Sequence, residues 1–183
     1  MKIQKIKVCF VISNIKVGGA EKQFVTLLNN LDNKLFDIDL LIYAYNGKIE
    51  FDVNSDINII TNSYNEDKKN KLIKILHCLS YLRNFFKSKD YDIVQTTLFI
   101  NSLILRIAIP KNYKNKVIAT IRTTSYKWWQ YAVEYIFIKK YFLITNSKTT
   151  FDKLKKINRF NKNFYYIPNG FEIFDINRQK NNF

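Results

Sequence analysis

The sequence predicts a doubly wound, parallel α/β sheet folded as one domain, and three observations predict it. Short, mostly apolar runs of strand length recur along the chain, as in Lys7-Val8-Cys9-Phe10-Val11-Ile12. Such runs fit strands buried on both faces. Stretches of helical spacing alternate with them, the pattern that gives a parallel sheet with right-handed crossovers and helices on both faces. No internal repeat or long linker breaks the alternation, and 183 residues suit a single domain with a sizeable core.

The elements follow in order. After the first strand at 7–12 comes the loop Ser13-Asn14-Ile15-Lys16-Val17-Gly18-Gly19. From Ala20 the pattern is helical, with Phe24, Leu27, Leu28 and Leu31 at helical spacing. Residues 36–43 read as a second strand through Ile38, Leu40, Leu41 and Ile42, and 57–60 as a short third. Residues 62–71 are polar and charged, a loop running into a helix whose apolar face is Leu72, Ile75, Leu76, Leu79, Leu82 and Phe86. Tyr91-Asp92-Ile93-Val94 opens a fourth strand. Residues 99–109 form an apolar helix that ends at Pro110, which cannot continue it. A fifth strand spans 117–121, an aromatic-rich helix 128–138 and a sixth strand 142–145. Ser147 is placed to cap the next helix, which runs to about 157. A seventh strand at 164–167 closes in the turn Pro168-Asn169-Gly170, and the last dozen residues read as a frayed tail.

Composition narrows the function classes. Hydrophobic residues make up 47% of the chain, which excludes bulk disorder. The net charge of +15 has two readings that stay open. One is an anionic partner, whether nucleic acid, anionic lipid or a phosphorylated substrate. The other is coding bias, because Lys, Asn, Ile, Tyr and Phe are abundant together. Cys9 and Cys78 do not make a disulfide framework. Cys9 reads as a small core residue. Cys78 beside the lone His77 supplies too few ligands for a structural metal site, so no metal is expected. No signal peptide is visible, and no apolar segment approaches the roughly 20 residues that span a bilayer. The expected compartment is the cytoplasm.

The local feature richest in chemistry is the first strand-to-helix turn, Gly18-Gly19-Ala20-Glu21. Ligands of parallel sheets bind beyond the carboxyl ends of the strands. Two glycines permit close backbone approach, and the helix N-terminus offers free N–H groups to phosphate. Glu21 in the first turn favours the helix electrostatically. The turn is neither a dinucleotide fingerprint nor a P-loop, and an ordinary tight turn is the competing reading. Ile144-Thr145-Asn146-Ser147 and Tyr166-Ile167-Pro168-Asn169-Gly170 are two further strand ends that run into polar, turn-forming residues.

Taken together, Val17-Gly18-Gly19-Ala20-Glu21, Thr145-Asn146-Ser147 and Ile167-Pro168-Asn169-Gly170 occur in one order along the chain. That order resembles the N-terminal domain of family-4-type retaining glycosyltransferases, from about Lys5 to Glu172. Asp92-Ile93-Val94-Gln95-Thr96 and Val117-Ile118-Ala119-Thr120 are similar to that family's fourth and fifth strands. The resemblance implies one Rossmann-like half of a GT-B fold. Residues 1–172 would be the acceptor-side domain and 173–183 a short tail, with the C-terminal nucleotide-sugar domain absent from this chain. It also implies that Gly18 and Gly19 face a donor diphosphate, with Glu21 beside them. Thr145, Asn146 and Ser147 would lie near the cleft floor, and Pro168, Asn169 and Gly170 near a hinge. A nucleotide sugar enters as co-substrate, with no cofactor.

The chain departs from the family where many relatives carry a histidine after the fourth or fifth strand. Those loops here read Gln95-Thr96-Thr97 and Arg122-Thr123-Thr124. Arg122 suits a phosphate or an anionic acceptor but stays protonated, so it is a poor general base. No catalytic residue is assigned. The implied partners are a donor-binding glycosyltransferase subunit and a glycan or lipid-linked acceptor. Tyr126-Lys127-Trp128-Trp129-Gln130-Tyr131 is aromatic and basic and suits peripheral contact with an anionic membrane, at its inner face. The alternatives are a truncated, non-catalytic remnant and a basic nucleic-acid-binding module. The second is disfavoured by the lack of a nucleic-acid motif.

Overall fold

Seven strands alternate with five helices in the computed structural model, which describes residues 4–63, 71–122, 127–137, 140–157 and 163–169. Gly170, the Thr123-Thr124 pair, Tyr126 and the tail at 173–183 lie outside the described residues. The strands are β1 (Ile6–Ile12), β2 (Phe36–Tyr45), β3 (Asn58–Ser63), β4 (Ile93–Thr97), β5 (Val117–Ile121), β6 (Phe142–Thr145) and β7 (Phe164–Tyr166). The helices are α1 (Gly19–Asn29), α2 (Lys71–Lys87), α3 (Phe99–Ala108), α4 (Trp128–Phe137) and α5 (Lys148–Ile157).

All the strand pairs are parallel and the sheet order is β3-β2-β1-β4-β5-β6-β7. The order reverses between β1 and β4, where Val8 stands opposite Ile93 and Val11 opposite Thr96. Crevices at such reversals are where open α/β sheets take ligands. The doubly wound architecture read from the alternation of elements is therefore the one observed.

Side-chain alternation assigns the helices to faces. Val8, Phe10 and Ile12 of β1, with Ile38, Leu40 and Ile42 of β2, pack under Phe24, Val25 and Leu28 of α1. The segment after β2 closes the same face through Ile49, Phe51, Val53 and Ile57. On the other face Cys9, Val11, Leu41 and Tyr43 meet Cys78, Leu82 and Phe86 of α2 and Leu105 of α3. Further along, Ala119, Ile121 and Leu143 lie under Leu154 of α5, with Tyr131 of α4 packed alongside. Among the described residues α1 is thus the only helix on its face.

Two sequence expectations are corrected here. Leu27 was placed on the buried face of α1, yet it is exposed while Val25 is buried, because Phe24, Val25 and Leu28 form the narrow stripe that touches the sheet. On α2 the expected apolar face holds only in its second half, where Cys78, Leu82 and Phe86 are buried. Leu72, Ile75 and Leu76 are exposed. A 17-residue helix is about 25 Å long, whereas a five-residue strand such as β4 rises only about 17 Å. Among the described residues only the second half of α2 packs on the sheet, through Cys78, Leu82 and Phe86 against Leu41 and Tyr43.

Polar contacts fix the helices against one another. Arg106 of α3 and Glu134 of α4 form an ion pair at 2.6 Å with side chains 2% and 1% exposed, and the Arg106 guanidinium also lies over the Phe137 ring. Tyr141 donates its hydroxyl to the Arg106 carbonyl oxygen at 3.3 Å. At the entry to α3, Leu98 has a φ of 69°, in the region that disfavours an L side chain. Both the Ser102 amide and its hydroxyl donate to the Leu98 carbonyl oxygen, at 3.0 and 2.8 Å, and hold that turn in place.

Candidate functional site

Three strand ends converge at the carboxyl edge. Arg122 follows β5, Asn146 follows β6, and the chain leaving β7 brings Ile167, Pro168 and Asn169 to the same place. The Ile167 amide donates to the Thr145 carbonyl oxygen at 2.9 Å, which extends the β6–β7 pairing by one bond beyond β7. The Asn169 Oδ1 accepts from Arg122 Nη1 at 3.3 Å and from Asn146 Nδ2 at 2.9 Å. Three of the residues singled out from the sequence thus meet at one oxygen atom.

They stand at the mouth of a cavity of about 540 Å³ on the α1 side of the sheet. One wall is the outward stripe of α1, Gln23, Thr26, Leu27 and Asn30, spaced by three, one and three residues. Gln95, Thr120 and Ile144 form the floor, and Ile167 and Pro168 the far wall. Burial lowers the Arg122 pKa from its ordinary value, the expected direction for a cation withdrawn from water. Among the described residues no partner reaches Arg122 Nε or the buried Thr120 Oγ1. The cavity therefore presents one cation, five side-chain amides, two hydroxyls and apolar walls. Among the described residues no Asp, Glu or His lines it. Such a lining can orient hydroxyl groups and an anion, because amides both donate and accept and a guanidinium only donates. It supplies no group that exchanges protons at neutral pH.

The other expected residues fall elsewhere. Gly18 caps α1 with an extended backbone (φ −170°), and its carbonyl oxygen accepts from the Lys22 amide at 2.9 Å. The Glu21 carboxylate lies against Gly18, where a side chain would have to displace it, whereas Gly19 faces open space. The anion-friendly helix start thus already has an anion of its own beside it. Ser147 is buried, and its Oγ accepts from the Thr150 amide at 3.2 Å, which is the N-cap expected of it. Neither the Gly18-Gly19-Glu21 turn nor Ser147 lines the cavity. Sequence reasoning missed the α1 wall and Thr120. The available signal was the polar stripe Gln23-Thr26-Asn30, which lies on the helix face away from Phe24 and Leu28.

No trio of His, Cys, Asp or Glu is placed to hold a metal ion among the described residues. Cys9 is buried between β2 and β4, and burial raises its pKa well above the usual value, with the Asp39 carboxylate adding to the effect. A thiol so protonated is not a nucleophile.

The sequence matches Glycosyltransferase Family 4 over residues 17–173, most of the chain. The chain belongs to this family. Curated protein sequences give no match. Among solved structures, the family-4 domain is similar to the apo form of the lipopolysaccharide outer core galactosyltransferase WaaB, with a TM-score of 0.67 at 14% identity, covering 93% of this chain and 47% of that one. It is also similar to sucrose-phosphate synthase (tll1590) from Thermosynechococcus elongatus, with a TM-score of 0.61 at 10% identity, covering 92% and 49%. A third likeness is Anabaena Alr3699/HepE in complex with UDP and glucose, with a TM-score of 0.55 at 13% identity, covering 91% and 45%. The family-4 domain therefore spans about half the length of the solved structures it matches and has the Rossmann-like fold of one half of a GT-B glycosyltransferase.

Proposed function

We propose that this domain forms the acceptor side of a sugar-transfer cleft that a separate donor-binding half completes. The reading is carried by the cavity at the ends of β5, β6 and β7. In it Arg122 stands among amides and hydroxyls, with no carboxylate or imidazole among the described residues. Glycosyl transfer breaks the bond from the anomeric carbon to the diphosphate and forms one to an acceptor oxygen, whose proton must leave. The lining can hold a hydroxyl-rich acceptor, and Arg122 can pair with an anionic group on it. Among the described residues it offers no acceptor for that proton and no cradle for a nucleoside, so both are assigned to the other side of the cleft. The chain's span of about half its solved relatives supports the same division.

The test is calorimetric titration of the purified chain with UDP-, GDP- and ADP-sugars at physiological ionic strength, followed by transfer assays with a donor-binding half added in trans. The chain alone is expected to bind no nucleotide sugar at micromolar strength, and the pair to transfer sugar. Arg122→Ala is expected to lower transfer by about ten- to a hundredfold. Micromolar donor binding by the chain alone overturns the division of labour.

A further inference from the structure

Two donors on the cavity wall have no acceptor. Thr120 and Arg122 stand two residues apart at the end of β5, so both side chains leave the α1-facing side of the sheet. Arg122 gives Nη1 to Asn169 at 3.3 Å. Its Nε is buried with no partner among the described residues. The Thr120 hydroxyl is likewise unpartnered, in a residue only 5% exposed. Most buried polar groups are paired, because a donor withdrawn from water without an acceptor is costly. Two such donors on one cavity of about 540 Å³ mark a place where a ligand supplies the acceptor.

These donors define the chemistry of that ligand. A guanidinium only donates, and among the described residues no carboxylate lines the cavity to neutralise it. The ligand group is therefore an anion. Arg122 is also the one cation of the lining among the described residues, so it balances a single negative charge. A phosphate monoester carries about −1.5 to −2 at neutral pH and would leave charge unpaired in a half-buried site. A carboxylate carries one charge. It is planar as well, and the Nε edge of a guanidinium presents two parallel N–H groups that its two oxygens accept. The rest of the lining suits a sugar. Gln23 and Gln95 both donate and accept, as hydroxyl groups require, and Ile144 and Ile167 offer apolar surface to the C–H face of a ring.

We propose that the acceptor is an acidic sugar, such as a uronic acid, whose carboxylate is held by the Arg122 guanidinium and the Thr120 hydroxyl. The inference rests on the sugar-transfer reading and narrows it from hydroxyl-rich acceptors to acidic ones. Arg122 and Thr120 then determine specificity, because they hold a group of the acceptor that does not react. Thr97 stands opposite Thr120 in register on β4, and its hydroxyl is also unpartnered among the described residues. It does not line the cavity and takes no part.

The full chain is titrated with methyl glucuronide, methyl glucoside and glucose 6-phosphate at physiological ionic strength, and the side-chain amide signals of Asn146 and Asn169 are followed by NMR. The glucuronide is expected to bind about tenfold or more tightly than the glucoside. Arg122→Lys keeps the charge and loses the fork, and is expected to bind the two glycosides within about twofold of each other. Thr120→Val is expected to weaken glucuronide binding about three- to tenfold, while the Tm without sugar holds or rises because the lost hydroxyl had no partner. Thr97→Val is expected to leave every affinity unchanged. Equal binding of glucuronide and glucoside overturns the carboxylate and leaves the acceptor reading standing. Tighter binding of glucose 6-phosphate assigns the site to phosphate and overturns the proposal. A glucuronide preference that survives in Arg122→Lys is attraction to the chain's net charge of +15 and overturns it too. Binding of none of the three overturns it as well, and the acceptor reading is then decided by transfer with the donor-binding half in trans.

Discussion

The two halves of the sheet are covered differently. Around β1 and β2, α1 and the segment after β2 close one face while α2 closes the other. Val8 to Ile12 are consequently all buried in succession. From β4 to β6, Val94, Ala119 and Leu143 are hidden beneath α3, α4 and α5, while the apolar residues on the α1 side, Ile93, Ile118 and Ile144, are only half-buried. Strands of a parallel sheet normally have both faces covered. Half-buried isoleucines in such a sheet therefore mark a face with no helix over it among the described residues, and the cavity holding Arg122 and Asn146 lies on that face. The α1 face is covered in the closed half and leaves a place to bind in the open half.

Substitutions separate the two halves most sharply where burial is deepest. Phe86→Ala in the closed half is expected to cost about 3–5 kcal/mol in chemical denaturation, because the ring is fully buried and meets Tyr91 and Tyr113 edge-on. Ile144→Ala on the open face is expected to cost less than about 1.5 kcal/mol. Equal losses would mean that the open face is covered in solution, and the contrast between the halves would fail.

Two ion pairs, both on the helices over β4 to β6, differ by burial instead. Glu134→Ala leaves the Arg106 charge buried without its partner and is expected to cost about 3–5 kcal/mol. Asp152→Ala removes an exposed pair with Lys148 and is expected to change stability by less than about 0.5 kcal/mol. Alkaline titration probes the buried thiol and phenols of the closed half together with Tyr141 beside β6. Burial raises the pKa of Cys9, Tyr43 and Tyr91 on the α2 side, and the Tyr91 hydroxyl donates to Asp39. In the unfolded chain these groups lose their protons near about pH 8.5 for Cys and 10 for Tyr. The folded state holds them to higher pH, so the stability they support is whole below those values and falls as pH rises above them. A Tm that stays flat from neutral pH to above pH 10 would remove that cost from the closed half.

Ser147→Ala removes the cap of α5 and is expected to lower stability by about 1 kcal/mol. The smallest effects separate the two glycines of the first turn. Gly19→Ala meets open space and is expected to change the Tm little, while Gly18→Ala must push the Glu21 carboxylate aside. A larger loss at Gly19 than at Gly18 would contradict the placement of Glu21.

Much of the fold was legible because each strand of this sheet carries its own signal. The run from Val8 to Ile12 could only be a strand covered on both faces, and Ser147 announced the cap of α5 by residue type alone. Relations between elements were less visible. Periodicity placed Leu72 and Leu76 on one stripe with Leu82 and Phe86, but it carries no information about where the sheet beneath a helix stops. Helical spacing grouped Leu27 with Phe24 and Leu28, although the α1 stripe that faces the cavity is as periodic as the one that faces the sheet. Arg122, Asn146 and Asn169 were each visible at a strand end. Their meeting depends on β5, β6 and β7 lying side by side, which is a property of strand order.

Asn169 ties that meeting together mechanically. A side-chain amide oxygen has two lone pairs, and here Arg122 occupies one and Asn146 the other. The chain's exit from β7 is thereby pinned to the tips of two neighbouring strands through a single atom. Any swing of this exit must release a cation and an amide together, and any ligand that draws the guanidinium toward itself unfastens half the pin. An anion that engages Arg122 therefore competes for one of the two bonds that hold Asn169 beside the ends of β5 and β6.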